Sequence, residues 1–291
     1  MVAALSAAAR ANAVAMPWLV VLIGVATMYA PSYWAAANGL WQTDEFGHAP
    51  LILVVVAWLF WQLREQIKDA PNEPLPTWGW SLLLAGILLY GFGRMFAVSS
   101  IEFVSQSLVV AALLLLLKGV AALRGAWFPV FYLVFMAPLP ATFVDAATGP
   151  LKQWISLIVV DLLYSSGYPI ARSGVMITIG QYQLLVADAC SGLNSMFSLS
   201  ALGTLYMYMV GRVSRIHNSV MLAAILPIAF CANIIRVIVL VLVTFHFGDE
   251  AGQGFLHGAA GIVLILAALL MISLLDTALS TSLKRRAPAA I

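Results

Sequence analysis

The stretch NSVMLAAILPIAFCANIIRVIVLVLVTF, residues 218–245, decides the fold class. It is apolar along nearly its whole length and holds a single charge, Arg236. The run exceeds the roughly 20 apolar residues with which a helix crosses the hydrocarbon core of a bilayer, so it reads as a transmembrane helix. The rest of the 291-residue chain agrees, with 63% apolar and only 9% charged residues and a mean hydropathy of +1.00. Soluble domains average about 45–50% apolar and about 25% charged residues. A water-soluble globule is therefore excluded, and so is disorder, which needs low hydrophobicity and high charge. Two cysteines exclude a disulfide-stapled scaffold, and a net charge of +2 makes no case for nucleic acid.

Working outward, the apolar runs separate at charged or Pro/Gly-rich breaks. The expected fold is an all-α polytopic membrane protein, one domain over 1–291, with about eight spans near 14–33, 48–63, 78–97, 103–123, 126–144, 191–211, 218–245 and 257–277. Five spans fill 14–144, an extracytoplasmic or interfacial segment fills 145–190, and three spans fill 191–277. The Ala-rich Met1–Ala15 stretch reads as a lead into the first span rather than a cleaved leader, because the run after it is long enough to cross. With both termini cytoplasmic, ten basic residues face the cytoplasm: Arg10, Arg64, Lys68, Lys118, Arg124, Arg212, Arg215, Lys284, Arg285 and Arg286. Only Arg94, Lys152 and Arg172 face outward, a bias that fits the positive-inside rule. His217, beside Arg212 and Arg215, reads as part of that topology signal. Lys152 and Asp161 flank only a short apolar piece, so 151–164 is expected to lie on the membrane. The β-rich residues on both sides of Gly180 predict a small extracytoplasmic hairpin leading to Cys190.

The rare polar residues carry the functional reading. Arg236 is the costliest, since a guanidinium at the centre of a bilayer costs about 2.5–3.5 kcal/mol on insertion scales and marks a functional site by default. Asn233, three residues earlier on the same helix face, is placed to support it by hydrogen bonding. The partition puts no acidic residue in the middle of another span to pair with it. Cys190, in Asp188-Ala189-Cys190-Ser191-Gly192, sits at the entrance of the sixth span. A cysteine at a helix N-terminus has a lowered pKa and more thiolate, although a cysteine within a membrane protein is also a small buried hydrophobe. Cys231, in the middle of a span, reads as packing, and a Cys190–Cys231 disulfide conflicts with their different depths. His257 opens the eighth span ahead of Gly258 and Gly261, and titrates in the range where protons are exchanged. His246 and His48 are its rivals on the outer side. Cys190, Arg236 and His257 occupy three consecutive spans whose directions bring all three to the outer face. A thiol, a fixed cation and an imidazole supply a nucleophile, an oxyanion stabiliser and an acid/base, a set suited to acyl transfer on a peptide bond. Four scattered histidines form no metal-ligand spacing, so neither a metal nor a cofactor is expected.

At these residues the sequence resembles the exosortase/archaeosortase family of membrane-embedded cysteine transpeptidases. The likeness rests on Ala189-Cys190-Ser191-Gly192-Leu193, Asn233-Ile234-Ile235-Arg236-Val237 and His257-Gly258 with Gly261, in the family's order and approximate spacing. Met136-Ala137-Pro138-Leu139-Pro140, Gly167-Tyr168-Pro169-Ile170 and Phe46-Gly47-His48 are further landmarks, and the likeness covers about 40 to 270. Asp188 stands where the family has Glu, which preserves the carboxylate, and Phe46-Gly47-His48-Ala49 departs from the family's Phe-x-His-Gly. The resemblance implies a protease-like sorting enzyme in the bacterial inner membrane, its site facing the periplasm, in cells that make exopolysaccharide. Its partners would be the lipid bilayer and exported proteins bearing a C-terminal Pro-Glu-Pro-type (PEP-CTERM) signal, a transmembrane helix and a basic tail. It would cleave these near the motif and pass them to an acceptor at the envelope. By the same resemblance Cys190 is the nucleophile, Arg236 the oxyanion or carboxylate stabiliser and His257 the general acid/base, with Asn233, Asp188, Ser191 and His48 in support. The rival reading is a transporter or flippase that binds an anionic substrate at Arg236, but the chain lacks the internal duplication such proteins often show.

Overall fold

The computed structural model describes residues 2–43, 46–139, 141–185 and 193–286. Among them, five stretches are long and apolar enough to cross a bilayer: Trp18–Gln42, Ala49–Asp69, Ser99–Leu117, Arg215–Phe247 and Ala260–Ser282. The chain is an all-α membrane protein with one small β element. It divides into two compact units, Met1–Pro138 and Leu139–Ile291.

The first unit contains α1 (Val2–Ala37), α2 (Ala49–Asp69), α3 (Pro76–Met95), α4 (Ser99–Leu117), and the short α5 (Val120–Gly125) and α6 (Trp127–Tyr132), the last continued by a 3-10 turn to Met136. Prolines stand at the starts of α2 and α3, where a missing N–H costs nothing. Three buried glycines spaced by seven, Gly79, Gly86 and Gly93, form the face of α3 that meets α4. A Cβ on them would lie 2.7 Å from Leu116, 2.8 Å from Val109 and 2.8 Å from the Glu102 backbone N. The two backbones are therefore close together, as small residues allow between membrane helices. Polar side chains tie α1 to α4: Ser32 donates to Glu102 at 2.6 Å, Tyr29 bonds Ser105 at 2.7 Å and Tyr33 donates to Gln106 at 2.8 Å. Arg94 lies 3.6 Å from the buried Glu102 carboxylate.

The expected span at 126–144 is not formed as one helix. Ala126 leaves helical geometry between α5 and α6, and Ala137 is extended ahead of Pro138, which disfavours helix at the preceding residue. The remaining apolar helix, Trp127–Met136, is about 15 Å long, half the hydrocarbon thickness.

The second unit contains α7 (Ala141–Ser165), strands β1 (Ile170–Ser173), β2 (Met176–Ile179) and β3 (Tyr182–Leu185), then α8 (Leu193–Val210), α9 (Arg215–Phe247), α10 (Asp249–Gly258) and α11 (Ala260–Arg286). The segment 151–164, expected as a short interfacial helix, belongs to the continuous α7, about 37 Å long. The hairpin expected around Gly180 is present and gains a strand, giving an antiparallel three-stranded meander in the order β1-β2-β3. Its turns are made by Gly174 and Gly180 at φ 63° and 56°, a region that favours glycine. Ile177 and Ile179 of β2 point into a core with Ile155 and Val159 of α7 and Val237, Leu240 and Val241 of α9. Each such isoleucine contributes about 1.5–3 kcal/mol by leaving water.

At the start of α9, Arg212 and His217 do more than mark topology. Arg212 makes two bonds to Asp276, of 2.7 and 3.1 Å, and His217 Nε2 lies 2.8 Å from the same carboxylate. The hydrogen bond to Asp276, ahead of its charge, holds the Arg212 guanidinium protonated beyond its usual range. Glu102, just before the expected span 103–123, and Asp276, near the end of 257–277, are thus two buried carboxylates, each met by a basic group from its own unit.

Gly93→Ala is expected to push α3 off α4, lowering stability by about 1–3 kcal/mol. Thermal unfolding in detergent checks it, with Gly91→Ala, where a Cβ meets nothing within 4 Å, as the unaffected control.

Candidate active site

The second unit is organised around one face of α9. Its buried residues, Met221, Ile225, Ala229, Ala232, Asn233, Arg236, Val237, Leu240, Val241 and Thr244, recur at three- and four-residue steps and form a single stripe. Besides His217 at its start, 2% exposed, the stripe carries Asn233 at 0% and Arg236 at 8% exposure.

Three helices meet on that stripe. Met196 and Leu199 of α8, Ala229 and Ala232 of α9, and Leu264 and Ala268 of α11 share one core cluster. The α8 and α9 helices run antiparallel, joined by the short loop 211–214. The first turn of α8, three residues back from Met196, and Arg236, four residues on from Ala232, both stand roughly 5 Å beyond the cluster toward the same end.

At that end Gly248, at φ 90°, turns the chain back on itself. Gly252 then lies so close to Thr244 that an added Cβ would collide with its hydroxyl. The contact joins residues four positions either side of Gly248, so α10 returns along α9, and Phe255 packs on the cluster that holds Val237, Leu240 and Val241. Counted from Gly248, His257 occupies the level of Val239, about one helical turn from Arg236. Leu264 in turn reaches the level of Ala232, its neighbour in the shared core.

A family model described as transmembrane exosortase matches residues 40–274, most of the chain. The chain belongs to the exosortase family. No curated protein and no solved structure matches it significantly.

In this exosortase the expected site residues fall as follows. Arg236 and Asn233 share the buried stripe of α9. The expected hydrogen bond from Asn233 to Arg236 is not made: both Nδ2 and Oδ1 of Asn233 are buried without a partner. A buried polar group left unpaired costs about 1–3 kcal/mol, so this carboxamide is unexplained by packing. His257 does not open the last spanning helix. It lies in the last turn of α10, and the chain breaks at Ala259 before α11 begins. Cys190, Asp188 and Ser191 lie between β3 and α8, outside the described residues.

The remaining candidates lie on other elements. His48 immediately precedes α2 in the first unit, half-buried. His246 is exposed at the far end of α9, its Nε2 3.5 Å from the Tyr168 hydroxyl, and ten residues, about 15 Å, beyond Arg236. Cys231, expected to be packed, is exposed. Five residues separate it from Arg236, a rotation of about 140° that puts it across the helix from the stripe. Among the described residues no group of histidines, cysteines and carboxylates could hold a metal ion.

The fold-back through Gly248 and Gly252 was missed in the sequence. Its signal was the Gly248-Asp249 break followed four residues on by a second glycine, a helix C-cap and a close-packing position. Gly252→Ala is expected to displace α10 from α9 and lower stability by about 1–3 kcal/mol, read by thermal unfolding in detergent. Gly254→Ala, where a Cβ meets nothing within 4 Å, should leave it unchanged.

Proposed function

We propose that this exosortase is a cysteine transpeptidase that cleaves the C-terminal Pro-Glu-Pro-type signal of exported proteins at the periplasmic face of the bacterial inner membrane and passes them to an envelope acceptor. The observation that carries the reading is Arg236, a guanidinium buried on the stripe of α9 against which α8, α10 and α11 gather. A charge at that depth calls for a function, and the family match over 40–274 supports a membrane transpeptidase.

The substrate's own transmembrane helix enters the bilayer beside the spans and sets its motif at the interface. The Cys190 thiolate attacks the scissile carbonyl carbon, and the electron pair of the C=O moves to oxygen. Arg236 steadies that oxyanion. As the tetrahedral intermediate collapses the C–N bond breaks, and the leaving amine takes a proton from His257, giving a thioester. An acceptor amine or hydroxyl, deprotonated by His257, then attacks the thioester and returns the cysteine as thiolate. Asp188 and Ser191 flank the nucleophile in the sequence.

Cys190→Ala and Cys190→Ser are expected to abolish processing of a tagged Pro-Glu-Pro-signal protein in cells, read as persistence of the full-length form. Undiminished processing in both variants would overturn the nucleophile assignment. Arg236→Lys keeps the charge but loses the planar fork, and processing should fall at least tenfold.

A further inference from the structure

Asn233 is a strongly polar group of the α9 stripe for which the chemistry above has no use. It is 0% exposed, and neither its donor nor its acceptor has a partner. Its neighbours on the stripe, Ala229, Ala232 and Val237, and the facing Leu264 and Ala268, are apolar. A carboxamide kept for packing would be replaced at no loss by leucine, and one kept for structure would be bonded. An unpartnered carboxamide one turn from a buried guanidinium has the character of a binding group.

Its chemistry indicates the ligand. A carboxamide presents donors and an acceptor in one plane, the complement of a peptide group; a carboxylate would use only the donors and a hydrocarbon tail neither. A substrate chain that turns into a transmembrane helix also brings unpaired backbone groups to that turn, since the first N–H groups of any helix lack intrahelical partners. In hydrocarbon those groups must be bonded by protein.

Resting on the peptide-cleaving function proposed above, we infer that Asn233 binds the main chain of the substrate, its Oδ1 accepting from a backbone N–H and its Nδ2 donating to a backbone carbonyl, one helical turn from Arg236. It holds the peptide in register beside the reacting bond. In the substrate-free chain the carboxamide is closed over, so binding parts α8 or α11 from α9 along the alanine-lined stretch at Ala229, Ala232 and Ala268.

The test separates binding from cleavage. Full-length chain carrying Cys190→Ala is used to capture a tagged protein that ends in a Pro-Glu-Pro-type signal, with and without Asn233→Leu, and thermal unfolding is followed in the same detergent without substrate. The inference predicts at least a tenfold loss of capture with Asn233→Leu and an unfolding temperature equal to or above that of the parent. Asn233→Ala, the second variant, should lose capture likewise. Undiminished capture by either variant overturns the inference, as does a lowered unfolding temperature in both, which would make the carboxamide structural. If Cys190→Ala alone captures no substrate, the peptide-cleaving reading fails and this inference fails with it.

Discussion

The contact between Gly252 and Thr244 is the constraint on which the site depends. Thr244 is fully buried and its hydroxyl is bonded to the Leu240 carbonyl, so it cannot yield, and only a residue without Cβ allows α10 to lie against α9. Gly248 supplies the reversal and Gly252 the close approach. Together they set the level at which His257 returns, and they set α11 in phase with α9, so that Leu264 and Ala268 reach the cluster around Ala229 and Ala232. The small residues of that cluster in turn admit α8, whose start delivers the chain from Cys190. One helix face thus organises three further helices.

A membrane chain with 9% charged residues must account for its buried charges, and two carboxylates show how. Glu102 is met by Arg94 and Ser32, and Asp276 by Arg212 and His217, within single units. These carboxylates lock helix pairs: α3 and α1 to α4 in the first unit, the α8–α9 loop to α11 in the second. Asn233 is of another kind, because its carboxamide makes no bond at all. The Glu102 and Asp276 carboxylates are bonded, whereas the Asn233 carboxamide keeps capacity for a ligand.

Much of this was legible in the residues. Apolar run length gave the membrane class and the long helices at 48–63 and 218–245, and the β-rich residues around Gly180 gave the hairpin. Spacing put Asn233 and Arg236 on one face. Other features escaped for physical reasons. Hydropathy counts side chains and not backbone breaks, so Pro138 divided a run that reads as a span. The strand Ile170–Ser173 contains little β-branched residue content and is formed by pairing with β2. His217 and Asp276 are far apart in the chain, and no local pattern announces a bond between them. Packing of Cys231 was inferred from its place in the middle of a span, but its position around the helix decided otherwise.

The central claim is the proposed one, that Cys190 acts with His257 and Arg236 in a single site. In a Cys231→Ala background Cys190 is the sole remaining thiol, so His257→Cys creates a single pair. Mild oxidation, or a short bis-maleimide, followed by mass spectrometry of the digested chain reads out their proximity, since a disulfide requires Cα atoms within about 7 Å. The account predicts an intramolecular link between positions 190 and 257, and none when the second cysteine is placed instead at Val213, at the opposite end of α9. Absence of the first link, or equal yield of the second, would contradict it.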